Sequence, residues 1–244
     1  MKHTLTIMKR ELGGYFATPV AYVFIVIFLV LSGFLTFMQG SLYESGQASL
    51  GRFFTWHPWL YLFLIPALSM RLWAEERRSG TIELLMTLPI TLPQAILGKF
   101  LAAWIFTGVA LLGTIPTWIT VNYLGEPDNG AIVAAYFGSF LMAGSFLAIG
   151  SAISSVTKNQ VIAFVMSFLV CLVFVFIGFP SVTEYLYDWI PAGLVDTIAS
   201  FSMFTHFQTI QRGLVQGTDL VFFATVIALF LFLNGLILEA RKAR

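Results

Sequence analysis

The chain has 244 residues, of which 58% are hydrophobic and 10% are charged, and its formal net charge is +1. Soluble domains carry about 25% charged residues, so this composition excludes an ordinary water-soluble fold and indicates an integral membrane protein. A near-neutral chain also lacks the clustered basic surface that nucleic acid requires. We therefore expect one all-α membrane domain, residues 1–244, with the lipid bilayer as its solvent and no nucleic acid as a partner.

The first segment, residues 1–18, has apolar residues at helical spacing and basic residues mostly off that stripe. Leu5, Leu12 and Phe16 belong to the apolar stripe, which is typical of a helix lying in the membrane interface with its apolar face in the lipid. Thr18-Pro19 would end this helix, because the residue before proline avoids the α-helical region. A frayed tail with anchoring charges is the alternative.

Six apolar segments are long enough to cross the hydrocarbon layer, which takes about 20 helical residues. They are Val20–Met38, Phe53–Met70, Phe100–Tyr123, Ala131–Ile153, Val161–Phe179 and Leu220–Leu238. An even number of spans places both termini on the same side. Because the loops on that side hold eleven Lys and Arg residues and the opposite loops hold two, the positive-inside rule predicts cytoplasmic termini.

The loop between the second and third spans, residues 71–99, carries six charged residues, three basic and three acidic, within one short run, 71–83. Arg71, Glu75 and Arg78 are spaced so that they would share one face of a helix that continues from the second span and could pair there. This helix would project beyond the membrane.

Ser79-Gly80 would end that projecting helix, and Thr81–Leu88 can form a short helix that Pro89 stops. Glu83 would lie in its first turn, where the helix dipole favours an anion. So short a helix is marginal alone in water, so it needs a surface to pack against. That surface is either the bilayer and the neighbouring spans, with the arginines as anchors, or a separate cytoplasmic protein.

The sequence of this loop resembles that of ABC-2 type transporter permeases. Glu76–Leu85, which reads ERRSGTIELL, is followed by Thr87-Leu88-Pro89, and the family's cytoplasmic loop shows a similar G-T-x-E-x-L and T-x-P pattern. Two further stretches, Lys9–Phe24 and Ser202–Phe223, resemble the gliding-motility GldF-like branch of these permeases. The outer stretch departs from that branch at residues 216–218.

The resemblance implies that this loop holds a coupling helix seated in a groove of a cytoplasmic ATP-binding subunit. The residues that it assigns to ATPase coupling are Glu75, Glu76, Arg77, Arg78, Gly80, Thr81, Ile82, Glu83, Leu84, Leu85, Met86, Thr87 and Pro89. It also implies a bacterial inner-membrane complex with two ATPase copies that bind ATP and Mg²⁺, and a second permease half, identical or paralogous. A GldG-like protein with a large periplasmic domain is a further expected partner.

The chain itself lacks a phosphate-binding loop of the G-x-x-x-x-G-K-[ST] type, since Gly98-Lys99 is followed by Phe100. We therefore assign it no enzymatic activity, no cofactor and no metal, and expect ATP hydrolysis on a separate subunit. Ionisable residues are nearly absent from the spans, and His57 comes closest to a membrane position. This scarcity disfavours an ion-coupled secondary transporter.

The outer loop between the fifth and sixth spans, residues 180–219, interleaves aromatic and polar residues. This pattern predicts short helices that dip into the outer leaflet, and a passive aromatic belt is the alternative. The candidate residues that fix the fold of this loop are His206, Phe207, Arg212, Gly213 and Asp219.

Together, these features predict a six-helix permease subunit that couples ATP hydrolysis on another chain to export across the membrane. Two alternatives stay open at this point. The first is a scaffold or mechanotransmitting subunit that passes ATP-driven motion to an outer partner. The second is a secondary transporter that works without ATP.

Overall fold

A computed structural model describes residues 2–39, 49–83 and 89–242, and every regular element in these ranges is helical. The elements are α1 (Lys2–Phe16), α2 (Pro19–Phe34), α3 (Gly51–Thr55), α4 (His57–Ser69), α5 (Arg71–Ser79), α6 (Leu92–Leu112), α7 (Ile115–Leu124), α8 (Asn129–Ser154), α9 (Gln160–Phe176), α10 (Pro180–Tyr187), α11 (Ala192–Ala199), α12 (Met203–Gln211) and α13 (Gly217–Lys242). A π-helical turn, Leu35–Gln39, extends α2.

Four helical segments of the described ranges are long and apolar enough to cross a membrane. They are Pro19–Met38, Leu92–Leu124, Asn129–Ser154 and Gly217–Arg241. Helices α9 and α10 qualify as a pair, but the chain bends by 67° between them. The predicted second span, Phe53–Met70, is divided between α3 and α4, each too short to qualify alone. The structure thus has four or five candidate spans, and the count of six stays a prediction.

Local chemistry explains where the helix boundaries differ from the predicted ones. Helix α6 begins at Leu92 rather than at Phe100, because Thr91 and Gln94 form a capping box that satisfies the first free N–H groups. Proline at the next position of the helix has no N–H to satisfy. The break predicted at Thr18-Pro19, between α1 and α2, is confirmed, since Thr18 is extended (φ −111°, ψ 142°) and Pro19 opens α2.

Helix α8 lies at the centre of the bundle and packs against α4, α6, α9, α12 and α13. Its glycines allow this packing, because a Cβ atom at Gly144 would lie 2.7 Å from Trp104 and one at Gly138 would lie 2.7 Å from Ile210. At Gly150, a Cβ atom would overlap the Ser69 side chain of α4. These glycines therefore serve packing inside one subunit.

Helix α1 packs along α6 rather than lying with its whole apolar face in lipid. Ile7 is buried against Gly98, and Tyr15 stacks on Phe106 with ring centroids 5.1 Å apart. Leu5, which the sequence placed on the lipid-facing stripe, is 49% exposed. Helix α1 is therefore attached to the bundle through part of the predicted stripe, and its position in the membrane interface stays a prediction.

Contacts between distant segments define the two ends of the bundle. At one end, Lys99 of α6 bonds to α1 and α5, and Arg77 of α5 bonds to Ser155 after α8. At the other end, Gln211 of α12 bonds to the Gly51 carbonyl. Arg77 also lies near Arg241 of α13, so the described parts of both termini lie at the end that carries the charged loop.

The contact between α1 and α6 can be tested at Gly98. In Gly98→Ala, the new Cβ atom would lie 2.8 Å from Ile7 Cγ2, so α1 must move, and such overpacking costs about 1–3 kcal/mol. We expect a lower melting temperature and faster proteolysis within α1 in detergent. Gly13→Ala is the control, since nothing lies within 4 Å of that position on α1. Equal behaviour of the two variants would contradict the packing of α1 on α6.

Candidate functional site

Lys99 is the centre of an ionic cluster where the charged loop meets the bundle. Its Nζ lies 2.6 Å from Glu76 Oε1 and 3.3 Å from Glu11 Oε2, and its side chain is only 4% exposed. The ammonium also lies 5.6 Å from the centre of the Trp73 ring, within cation–π range. We call Glu11, Trp73, Glu76 and Lys99 the Lys99 cluster. It joins α1, α5 and α6.

The carboxylates of this cluster differ in how they are satisfied. Glu11 Oε1 also accepts a hydrogen bond from exposed Arg10 at 2.7 Å. Glu76 Oε2 is buried and has no hydrogen-bond partner in the described ranges. A buried ion pair is costly to break, because the remaining charge is left without compensation. The cluster therefore resists separation of α5 from α6.

The pKa of Glu11 reflects the same contacts. Burial raises this pKa, but the charges of Lys99 and Arg10 and their hydrogen bonds lower it by more, so it lies below its ordinary value of 4.5. The ionised carboxylate is therefore the form that the folded protein favours.

A second junction forms where the Ser154 hydroxyl meets the start of α5. Ser154 Oγ accepts hydrogen bonds from the backbone N–H groups of Trp73 (3.1 Å) and Ala74 (3.0 Å), and it donates one to the Met70 carbonyl (2.9 Å). The first N–H groups of a helix have no partner within the helix. One side chain of α8 thus bridges the break between α4 and α5, and we call these bonds the Ser154 junction.

Further bonds attach α5 to the same end of α8. The Trp73 indole donates to Ser151 Oγ at 3.2 Å, and Asn234 of α13 donates to the same oxygen at 2.8 Å. Arg77 donates to the Ser155 carbonyl at 2.5 Å. Burial lowers the pKa of the Arg77 guanidinium, and nearby Arg241 lowers it further. These bonds attach α5 to the end of α8, and α13 bonds to the same serine of α8.

Beyond this base the loop is exposed. No ion pair joins Arg71, Glu75 and Arg78 in the part of the chain that the structure describes, and all three side chains are exposed. Gly80 adopts a left-handed conformation with φ of 76°, which ends α5 as predicted. The exposed part of the loop thus carries charged side chains that form no ion pair with the bundle in the described ranges.

The predicted coupling helix is described only in part. Thr81, Ile82 and Glu83 are helical, Ile82 packs partly against the core, and Glu83 is exposed. The rest of the predicted helix lies outside the described residues, and it comprises Leu84, Leu85, Met86, Thr87 and Leu88. Pro89 follows in a bend.

At the opposite end, the predicted outer-loop residues divide into two groups. His206 Nδ1 lies 2.6 Å from Asp219 Oδ1, and His206 Nε2 lies 2.9 Å from the Ser200 carbonyl. The imidazole also stacks on Phe222 at 4.1 Å. This contact ties α12 to the first turn of α13.

The remaining outer-loop residues have separate structural positions. Phe207 is fully buried, and Gly213 turns the chain with φ of 84° close to Ala131. Arg212 is exposed at the end of α12. Helix α12 packs its apolar face on α8. That the short helices of this loop dip into the outer leaflet stays a prediction.

His57 is buried rather than at the interface. Its Nδ1 lies 2.7 Å from Ser139 Oγ, which also bonds to the Tyr61 hydroxyl at 2.7 Å. The rings of Phe53 and Phe54 contact it edge-on. This polar contact fixes α4 against α8 within the outer half of the bundle.

A comparison of the sequence with protein-family profiles identifies the family of this chain. The profile described as ABC-2 family transporter protein matches residues 5–238, nearly the whole chain. The chain belongs to this family. No curated protein matches the chain.

Membership in the ABC-2 family, together with the apolar helices, makes this chain a multi-pass membrane protein and a transport component. Such a permease works with an ABC ATPase subunit, and permeases of this family are generally not catalytic themselves.

Several residues that anchor the ABC-2 loop were missed by sequence reasoning. Lys99 was counted only as a positive-inside charge, although a lysine within an apolar helix is a signal for a buried partner. Ser151 and Ser154 lie one turn apart near the end of α8, a spacing that points both hydroxyls to one neighbour. Glu11 carried no distinguishing pattern of its own.

The Ser154 junction predicts that removal of one hydroxyl group lowers the stability of the permease markedly. In Ser154→Ala, two N–H groups of α5 and the Met70 carbonyl lose a buried partner, and each unsatisfied group costs about 1–3 kcal/mol. We expect a clear fall in melting temperature of the purified permease. Ser145→Ala is the matched control, since within the described ranges that buried hydroxyl bonds only to Leu141 of its own helix. A fall as large in the control would contradict a specific role of the junction.

The lowered pKa of Glu11 predicts how acid affects α1. Ionised Glu11 stabilises the fold above its ordinary pKa, and this contribution is lost as the pH falls through the lowered value. Between about pH 5 and about pH 3, the melting temperature of the wild type should therefore fall more than that of Glu11→Gln. Parallel curves for the two proteins would show that Glu11 contributes nothing.

Proposed function

We propose that this chain is the transmembrane permease subunit of an ABC-2 type exporter, and that residues 71–99 bind its ATPase. One observation carries the proposal. The base of the charged loop is bonded to α1, α6 and the end of α8, while its surface at Glu75, Arg78 and Glu83 is exposed. A surface charge pattern on a firmly held support suits a docking site for a separate protein.

The proposed cycle uses these bonds as its mechanical link. Binding of ATP and Mg²⁺ to two ATPase copies brings those subunits together and displaces the segment around Gly80–Pro89. Helix α5 passes the displacement to α8 through the Ser154 junction and to α6 through Lys99. This chain supplies no ATP site of its own, because it has no phosphate-binding loop.

The orientation in this proposal rests on charge and geometry. Eleven of the thirteen Lys and Arg residues fall on the side assigned to the cytoplasm, and the described ends of the chain lie together at the charged-loop end. The proposed location is a bacterial inner membrane with both termini cytoplasmic. Six spans are part of this proposal.

The finer family assignment is the GldF-like branch, which is supported by the stretches Lys9–Phe24 and Ser202–Phe223. It brings a second permease half, identical or paralogous, and a GldG-like protein as proposed partners in gliding motility.

A second candidate function is mechanotransmission, in which ATP-driven motion passes to an outer partner. It is favoured by α10 and α11, which project exposed aromatic residues at the end of the bundle opposite the charged loop.

Glu83→Lys tests the coupling site. The change places a cation at the start of a helix, which costs about 0.3–1 kcal/mol and is too little to unfold the bundle. Loss of one partner of a desolvated interfacial charge pair can cost about 2–5 kcal/mol. We expect normal membrane abundance, with strongly reduced co-purified ATPase and ATP turnover.

The control for this test is Glu126→Lys, an equal charge reversal on an exposed residue at the opposite end. It should retain the ATPase at the wild-type level. Unchanged assembly and turnover in Glu83→Lys, or equal losses in both variants, would contradict the docking of an ATPase on this loop.

A further inference from the structure

Helices α10 and α11 form a hairpin that is attached only lightly to the bundle. They pack mainly against each other, and Val195 is their one buried side chain. The Tyr187 hydroxyl donates a hydrogen bond to Asp196 Oδ1 at 2.5 Å, which joins the two helices. We call residues 180–199 the outer hairpin.

The outer hairpin exposes large apolar side chains. Tyr185 is 65% exposed, Trp189 is 75% exposed and Leu194 is 57% exposed. Tyr185 and Trp189 are four residues apart, and their ring centroids lie 6.5 Å from each other. Helices of eight residues are marginal without a surface to pack on, so this exposed face indicates an interaction site.

The charges beside this face are all of one sign. Glu184 and Asp188 are also four residues apart and adjoin the two aromatic residues in sequence. Like charges at this spacing destabilise a helix by about 0.2–0.5 kcal/mol. Neither carboxylate has an ion pair in the described ranges, and no Lys or Arg occurs between Lys158 and Arg212.

The negative charge of Glu184 and Asp188 favours one kind of surface over the others that could cover the hairpin. Helices that lie on a membrane typically carry Lys and Arg on their polar face, whereas the outer hairpin carries acidic residues and neither Lys nor Arg. A second copy of this chain would bring the same acids into contact. A basic protein surface satisfies both the carboxylates and the aromatic rings, because arginine also stacks on Trp and Tyr.

We propose that the outer hairpin is a docking site for the basic surface of a folded protein outside the membrane. The carboxylates of Glu184 and Asp188 bind its Arg or Lys side chains, and Tyr185 and Trp189 supply the apolar contact. The Tyr187–Asp196 bond holds the hairpin in shape before the partner arrives. This proposal rests on the outward orientation given under the proposed function.

The test places a photoreactive benzophenone amino acid at Trp189 of the full chain in intact cells. We expect a discrete adduct with one protein that is not this chain. Glu184→Lys with Asp188→Lys should reduce the adduct by about tenfold or more, since the change removes charge pairs and adds repulsion. Glu126→Lys is the control, and it should leave the adduct unchanged.

Three outcomes would overturn the docking proposal: adducts only with lipid, adducts with a second copy of this chain, or a protein adduct that survives reversal of both acids. Gly193→Cys separates this failure from failure of the orientation, because nothing lies within 4 Å of that exposed position and the native Cys171 is buried. A membrane-impermeant thiol reagent should label it from outside. Labelling only from the cytoplasm would contradict the proposed function as well.

Discussion

The Ser154 hydroxyl makes the hydrogen bonds on which the attachment of the charged loop to the helical bundle depends. A helix break at Met70 would leave N–H groups of α5 without partners, and water cannot reach the buried backbone of Trp73 and Ala74. Ser154 satisfies both groups and the Met70 carbonyl at once. Because the hydroxyl belongs to the central helix α8, the position of α5 is set relative to the whole bundle rather than relative to α4 alone.

The Lys99 cluster adds a second constraint, which is an ion pair rather than a set of hydrogen bonds. Hydrogen bonds to Ser154 fix the start of α5, whereas the ion pair with Glu76 fixes its middle, less than one turn further along the helix. Separating either contact leaves a buried polar or charged group unpaired, so small movements of α5 without α6 and α8 are disfavoured. In the proposed cycle such a helix would transmit displacement, with Arg78 exposed near its end and Glu83 exposed just beyond it.

Local rules made some of this arrangement predictable from the sequence. Thr18-Pro19 and Gly80 end their helices for backbone reasons that involve only neighbouring residues, and both were identified. The partners of Ser154 and Lys99 were not, because they lie far away in sequence and depend on how helices pack. Burial of α12 against α8 was missed for the same reason, since an apolar helix face suits lipid and protein equally.

Spin labels at Arg78 and Lys158 measure most directly whether α5 and α8 move as one body. Both positions are exposed, and they flank the Ser154 junction on α5 and just after α8. In an assembled complex that hydrolyses ATP, the distance distribution between them should be narrow and unchanged by nucleotide, and Ser154→Ala should broaden it. A nucleotide-dependent shift of that distance in the wild type would show that the loop flexes independently of the bundle, which contradicts the account.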